Sequence, residues 1–327
     1  MKPIENVSFI LIARNEQFGV AKCLGSLAAM SLRNCEVICV DSGSTDETVG
    51  VMCRFRGVID NLRVVTVKGY SNAAVARNAG MRHAHRDYIF FVDGDVEINP
   101  GFVASGLQRL QAGADVVTGR LRELQYSRDF NTVLKDIPDR FNIRNEGRIY
   151  ASGGCFMATR KAVERTGLFD ERLEKSQDYD YTLRLSRRFV MLAITESMGT
   201  HHTVGYDDAQ RFATQLRRLH ALFFGAVIRR NLLNASGILW LLACKERGIA
   251  IGGLFLASGI AATAVYGLYG AFAFGALVAV DLLLGLRRGS PALYRLYLHY
   301  LFPLLSFAGS FYIPDRRRPF TVGEVRV

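Results

Sequence analysis

Along roughly the first 205 residues, short apolar runs alternate with helically spaced apolar positions, each pair separated by a polar cluster. The run Val7–Ala13 is followed by Asn15-Glu16 and then by Val20, Leu24 and Leu27, a spacing of three and four that predicts a helix. Residues 35–40 form a second apolar run, which closes in Asp41-Ser42-Gly43-Ser44-Thr45-Asp46 and leads into a helical pattern through Thr48, Val49 and Met52. Residues 62–67 predict a third strand, 73–84 a helix, and 87–92 a fourth strand ending in Asp93-Gly94-Asp95. Strand and helix in this alternation give an α/β class, a mostly parallel sheet with helices on both faces. Ligands of such sheets lie beyond the carboxyl ends of the strands, where each polar cluster falls.

The pattern changes after residue 205. Between 249 and 286 the only charged residue is Asp281, enough apolar chain for two short membrane spans with a tight turn near 267–270. Lys245 and Arg247 precede this stretch and Arg287 and Arg288 follow it, so a hairpin with both ends on the cytoplasmic side is expected. A third apolar segment, 292–313, carries Arg295, His299 and Pro303 and runs into Arg316-Arg317-Arg318. It reads as interfacial or re-entrant, with a third span kept open. Ahead of the hairpin, Arg211, Gln215, Arg217, Arg218, Arg229 and Arg230 intersperse with Phe212, Leu216, Leu219, Phe223 and Val227 as on an amphipathic helix. Such a helix would settle on anionic lipid or pack its apolar face on protein. The domain reading is therefore 1–205 catalytic, 206–248 amphipathic, 249–286 a transmembrane hairpin, and 287–327 a third membrane segment with a basic tail. No secretory signal pattern opens the chain, so the first part is expected to stay in the cytoplasm.

Composition narrows the classes. The 327 residues carry 41 Lys plus Arg against 30 Asp plus Glu, a formal charge of +11, and are 50% hydrophobic, which excludes disorder. The basic surplus lies beside apolar segments, so it points to a membrane surface, and no nucleic-acid recognition motif accompanies it. Six cysteines without paired spacing indicate neither a disulfide framework nor a zinc site. Asp93 and Asp95, flanking a glycine after a buried strand, can hold Mg²⁺ or Mn²⁺ together with substrate phosphates. Asp41, at another strand end, can accept a hydrogen bond from a base N–H, while Ser44 to Glu47 read largely as helix capping. Arg77, on the helix of 73–84, can neutralise a diphosphate. Residues 120–150 are charged and weakly periodic and read as a lid or a surface loop.

In their order, these motifs resemble glycosyltransferase family 2, the inverting enzymes of GT-A fold. The resemblance rests on residues 7–16 with Ala13-Arg14-Asn15-Glu16, on Val40-Asp41-Ser42-Gly43-Ser44-Thr45-Asp46, on Ala76-Arg77-Asn78-Ala79-Gly80 and on Phe91-Val92-Asp93-Gly94-Asp95. Further on, residues 153–160, Phe169-Asp170-Glu171 and 177–184 with Asp178 and Asp180 are similar to the family's later motifs. The resemblance implies that Ala13, Asn15, Glu16 and Asp41 line the nucleoside end of a donor, that Arg77 meets its diphosphate, that Asp93 serves ribose or metal, and that Asp95 serves the metal. It implies Asp178 as general base; Asp180, two residues on, would point about 200° away on a helix. His201 and His202 are expected in a loop after a strand at 190–194, and the resemblance implies that one of the pair approaches the diphosphate or the metal. The chain departs from the family in Gln177 before the base and in lacking an aromatic ahead of Asn15. Gln215-Leu216-Arg217-Arg218 lacks the tryptophan of the processive synthases.

What the resemblance implies is an α/β enzyme moving one sugar from a UDP- or GDP-sugar to a lipid-linked acceptor hydroxyl, such as a polyprenyl-diphosphate saccharide, at the cytoplasmic membrane. A polyprenyl-phosphate monosaccharide synthase, a glycolipid synthase and a non-catalytic nucleotide-sugar-binding subunit remain alternatives, and oligomerisation stays open.

Overall fold

The computed structural model describes residues 3–205, 213–214, 216–287, 296–312 and 318–325. Arg211, Phe212, Gln215, Arg288, Arg295, Arg316 and Arg317, singled out above, lie outside the described residues. The chain divides into two compact units, Met1–Gly205 with Asp315–Val327, and Tyr206–Pro314.

The first unit is built on one eleven-stranded sheet. Its strands are β1 Val7–Ala13, β2 Glu36–Asp41, β3 Leu62–Gly69, β4 Tyr88–Asp93, β5 Val96–Ile98, β6 Val116–Tyr126, β7 Val133–Ile137, β8 Gly147–Arg148, β9 Phe156–Thr159, β10 Met191–Val204 and β11 Phe320–Glu324. The order is β8-β10-β6-β9-β4-β1-β2-β3-β11, with β5 also pairing β10 and β7 pairing β6. β4, β1, β2 and β3 are parallel, as the βα alternation requires. β1 and β2 are buried at every position, which explains their unbroken apolar character. Register sets Ala13 beside Asp41 and Ile12 beside Asp93, so three strand ends lie abreast at one edge.

Helices α1 Gln17–Ala28, α2 Thr48–Arg54, α3 Ala73–His83, α4 Pro100–Gln111, α5 Arg160–Thr166 and α6 Gln177–Ser186 belong to this unit. Asn72 caps α3, its side chain accepting from the Val75 amide at 2.9 Å. Residues 74–80 of α3 are all buried and mostly small, and a Cβ on Gly80 would overlap the Ile10 side chain of β1. Helix and sheet are thus in closer contact than a larger residue permits.

Three differences from the sequence reading have local causes. Residues 120–150 are not a single irregular loop: β6 runs through Tyr126 and folds back as β7. Its buried positions hold Leu121, Glu123 and Gln125, so polar residues on the inner face mask the period of two. β10 does not stop at Ile194 but continues to Val204 across register shifts between Ala193 and Gly199, which puts His201 and His202 on a strand and not in a loop. The end of the chain, read as part of the membrane region, instead adds β11 antiparallel to β3, from Phe320 opposite Gly69 to Glu324 opposite Val65. Thr321, Val322 and the backbone of Gly323 supply the extended, β-competent sequence this needs.

The second unit contains α7 His220–Arg230, α8 Ala235–Trp240, α9 Arg247–Tyr266, α10 Leu268–Arg287 and α11 Phe302–Gly309, the last preceded by a π-helical turn Tyr297–Leu301. Gly267, at φ +58°, makes the turn between α9 and α10. Close crossings occur at small residues: a Cβ on Gly259 would overlap the Phe274 ring, and one on Gly270 the backbone of Ala262. α7 packs its buried face on α11, with Ser306 Oγ donating to the Ala221 carbonyl at 3.2 Å.

Replacing Gly80 by alanine should destabilise the first unit by about 1–3 kcal/mol through overpacking against β1, measured as a lowered midpoint in denaturant without a changed slope.

Candidate active site

The site is assembled on the strand ends. Gly94 turns the chain tightly between Asp93 and Asp95; a Cβ there would lie 2.8 Å from Ala13 Cβ and 3.0 Å from the Ile12 carbonyl. Gly19 on α1 leaves room for the same loop, since a Cβ on it would stand 2.6 Å from Asp95 Cα. Behind the loop, Glu16 is held with its carboxyl well above the usual range by burial, and then by the charges of Asp95 and Asp93. Three carboxylates in one half-buried pocket create a demand for positive charge.

Part of that demand is met by Arg77, whose Nη2 lies 2.6 Å from Asp93 Oδ1. Arg77 is only 3% exposed, and its Nε and Nη1 find no hydrogen-bond partner. Its guanidinium sits 5.5 Å from the Phe169 ring centroid. Gly154 closes over the pair: a Cβ there would overlap the guanidinium and come 2.9 Å from Asp93 Oδ2. One residue earlier, a Cβ on Gly153 would be 3.9 Å from Asp178 Oδ2 and 3.5 Å from Phe141 Cζ. Two adjacent glycines therefore bring the Asp93 and Asp178 carboxylates to one place.

Asp178 stands in the first turn of α6, entered through Ser176 at φ +59°. Burial raises its carboxyl above the ordinary value, and the Arg77 and Lys175 charges offset only part of the rise. Asp180 is directed elsewhere, as the helical geometry predicts: it is buried and pairs with Arg184 Nε at 2.9 Å. The loop before α6 is tied to α3, where Asn78 donates to the Phe169 carbonyl at 3.0 Å and accepts from the Phe169 amide at 2.9 Å.

The two histidines diverge because strand side chains alternate. His201 Nε2 lies 2.9 Å from Asp95 Oδ2, and its Nδ1 3.1 Å from Glu123 Oε2. His202 faces the other way, between Tyr126 Oη at 2.9 Å and Glu97 Oε2 at 3.0 Å, beside Phe18. Burial depresses His202, and the Glu97 hydrogen bond only partly restores it. The structure thus brings His201 to Asp95 and turns the His202 side chain away; only the His202 amide touches the loop, donating to the Asp95 carbonyl at 2.8 Å. At the end of β2, Asp41 accepts from the amides of Gly43 at 3.0 Å and Ser44 at 3.1 Å. Asn15, at φ +55°, crosses to the same loop by accepting from the Thr45 amide at 2.8 Å. Ala13 is buried at the end of β1.

Glu123, wholly buried on β6, escaped sequence reasoning because a lone glutamate in a charged segment gives no signal. Burial pushes its carboxyl up, but hydrogen bonds from His201 and Gln125 and the Arg140 charge outweigh that and hold it below the usual range. Glycines 153 and 154 were legible as a motif, their steric role not.

A divalent ion is a natural third party to this arrangement. Asp95 Oδ1 is buried without a hydrogen-bond partner, and Asp95 and His201 present carboxylate and imidazole donors that suit Mg²⁺ or Mn²⁺. Among the described residues no three His, Cys, Asp or Glu side chains form a ready cage, so the remaining ligands would come from substrate and water.

With this geometry, comparison with known proteins is informative. Residues 8–167 match the family model described as glycosyl transferase family 2. The chain is 23% identical over 224 residues to glycosyltransferase AglE of Haloferax volcanii, covering 65% of this chain and 70% of that one. It is 27% identical over 223 residues to the amylovoran biosynthesis glycosyltransferase AmsB of Erwinia amylovora, covering 62% and 71%. Its fold matches that of the mannosyltransferase PcManGT of Pyrobaculum calidifontis, solved in complex with GDP-Man and Mn²⁺, with a TM-score of 0.58 at 20% identity over 94% of this chain and 87% of that one. The class is that of the glycosyltransferases of GT-A architecture, which draw on nucleotide-sugar donors. Residues 8–167 carry the domain of glycosyltransferase family 2.

His202→Ala should cost about 2–4 kcal/mol, since it opens a buried cavity and strands Tyr126 Oη, whereas His201→Ala should cost less than half as much in the metal-free protein; chemical denaturation of both variants measures this.

Proposed function

We propose that the protein transfers a single sugar, with inversion, from a UDP- or GDP-sugar to a hydroxyl of a lipid-linked acceptor at the cytoplasmic face of a membrane. The observation that carries the chemistry is the convergence of Asp178, Arg77 and Asp93 around Gly153 and Gly154. Asp178, its carboxyl raised toward the working range of a base, takes the proton of the acceptor hydroxyl. The hydroxyl oxygen attacks the anomeric carbon from the face opposite the departing nucleoside diphosphate, so a single displacement inverts the centre. Arg77 turns its unpartnered Nε and Nη1 to phosphate oxygens. Asp41, Asn15 and Ala13 bound the nucleoside, and Glu16 and Asp93 the ribose end. Asp95 and His201 would hold Mg²⁺ or Mn²⁺, whose charge would offset that of the leaving diphosphate; His202 supports the strand that carries His201.

The lipid acceptor is supported by the second unit. Arg247–Tyr266 is long and apolar enough to cross a membrane, and Leu268–Leu284 is a shorter apolar stretch. Leu254, Val265, Leu268, Phe272 and Leu283 are each more than 60% exposed, a surface that hydrocarbon would cover. Chain connectivity bears on the number of crossings. The strand leading into Tyr206–Pro314 and the strand following it, β10 and β11, belong to one sheet. A segment that leaves and rejoins the same folded unit crosses a bilayer an even number of times, which supports two spans, with 296–312 as a re-entrant or interfacial piece. Asp281, the lone carboxylate of the hairpin, accepts from His299 Nδ1 at 3.1 Å and Tyr300 Oη at 3.2 Å, a pairing that lets it sit among apolar helices.

Nucleotide release from a panel of UDP- and GDP-sugars, with Mg²⁺ or Mn²⁺ and lipid extract, tests the activity. Asp95→Asn and Asp178→Asn should each lower it at least about a hundredfold while leaving the melting temperature within a few degrees. Substantial activity retained by Asp178→Asn would instead indicate a phosphate acceptor, which needs no base. Because the base works ionised, kcat/KM should fall as pH drops through its raised pKa, placing the acid limb above the 3.8 of an ordinary aspartate. For the membrane reading, a reporter fused after Val327 should lie in the cytoplasm, and Tyr269→Cys should react with an impermeant maleimide from the opposite side. A reporter found outside would rule out the even count.

A further inference from the structure

We propose that Glu123 is the positioning residue of the Asp95–His201 pair, and that Arg140 holds Glu123 in that role. This rests on the reading that Asp95 and His201 bind a divalent cation.

The parallel pairing of β6 and β10 sets Glu123 directly opposite His201. The Glu123 side chain has no exposed surface, yet its oxygens gather three donors: Gln125 Nε2 at 2.7 Å, His201 Nδ1 at 3.1 Å and Arg140 Nη1 at 3.1 Å. A carboxylate only accepts, so the proton on this side of the ring stays on Nδ1, and Nε2 is the nitrogen turned to Asp95 Oδ2. A cation taking the place of the Nε2 proton would find that nitrogen beside the unpartnered Asp95 Oδ1. Burying a carboxylate costs desolvation that a hydrophobic residue would avoid. The return on that cost is a fixed imidazole of increased basicity.

Arg140 brings in a second element. Residues 139–143 are clamped to β6: the Arg140 amide donates to the Leu121 carbonyl at 2.8 Å, Asp139 accepts from the amides of Phe141 and Ile143 at 2.9 and 2.6 Å, and Arg120 Nε donates to the Ile143 carbonyl at 2.7 Å. The same short stretch points Arg140 at Glu123 and packs Phe141 beside Gly153, next to Asp178. One clamped loop thus braces the imidazole on one side of the site and walls the base on the other.

The test is Mn²⁺ affinity, read by the loss of free-ion electron paramagnetic resonance signal, alongside nucleoside-diphosphate affinity without metal and the melting temperature. Glu123→Gln keeps the shape and removes the charge; it should weaken Mn²⁺ binding by about 10–100-fold while leaving metal-free nucleotide binding unchanged. Arg140→Gln, at a half-exposed position, should weaken Mn²⁺ binding in the same direction by a smaller factor. Unchanged Mn²⁺ affinity in a folded Glu123→Gln overturns the proposal. If that variant does not fold, unchanged affinity in Arg140→Gln overturns it instead. Wild-type protein that binds no Mn²⁺ fails differently: it removes the metal reading, and this inference with it.

Discussion

Burying a guanidinium with two of its nitrogens unpartnered is expensive, and much of the catalytic unit is arranged so that Arg77 can be buried nonetheless. α3 lies hard against β1 because Gly80 has no side chain, which sets Arg77 deep at the strand ends. Gly154 removes the Cβ that would push the guanidinium off Asp93, and the Phe169 ring supports its face. Asn72 and Asn78 tie α3 to residues 169–173, and those lead into the helix that carries Asp178. The charge left over on Arg77 is what an anionic ligand would find, already desolvated and fixed.

Around that centre the acidic side is organised by strand geometry. Parallel register places Ala13 beside Asp41 and Ile12 beside Asp93, and alternation along β10 turns two consecutive histidines apart, one to Asp95 and the other to Glu97. His202 is therefore not a spare copy of His201. It ties β10 to Tyr126 of β6 and Glu97 of β5 from the opposite face.

Much of this was legible in the chain alone. The four parallel strands were readable because positions buried on both faces are apolar almost throughout, and their polar ends marked the site. Asp178 was separable from Asp180 by helical period, and the pairing of Asp180 with Arg184 shows where the other carboxylate goes. What escaped is polar and buried. β6 carries Glu123 and Gln125 inward, so its alternation looks like a charged loop. β10 is interrupted by a bulge near Ser197 that breaks the period just before the histidines. β11 follows a long apolar region and has no local signal for a partner more than 250 residues earlier.

That last pairing bears on how the protein is made. Thr66 Oγ1 meets the Gly323 carbonyl across 257 residues, and the intervening chain includes the apolar helices. At about 5–20 residues per second, β3 emerges from the ribosome roughly ten to fifty seconds before its outer neighbour exists. Throughout that interval the sheet shows an open edge, a template for any other extended chain. Lys68, exposed near the end of β3, is a charge of the kind that discourages such pairing. The apolar helices are thus made while the sheet beside β3 is still one strand short.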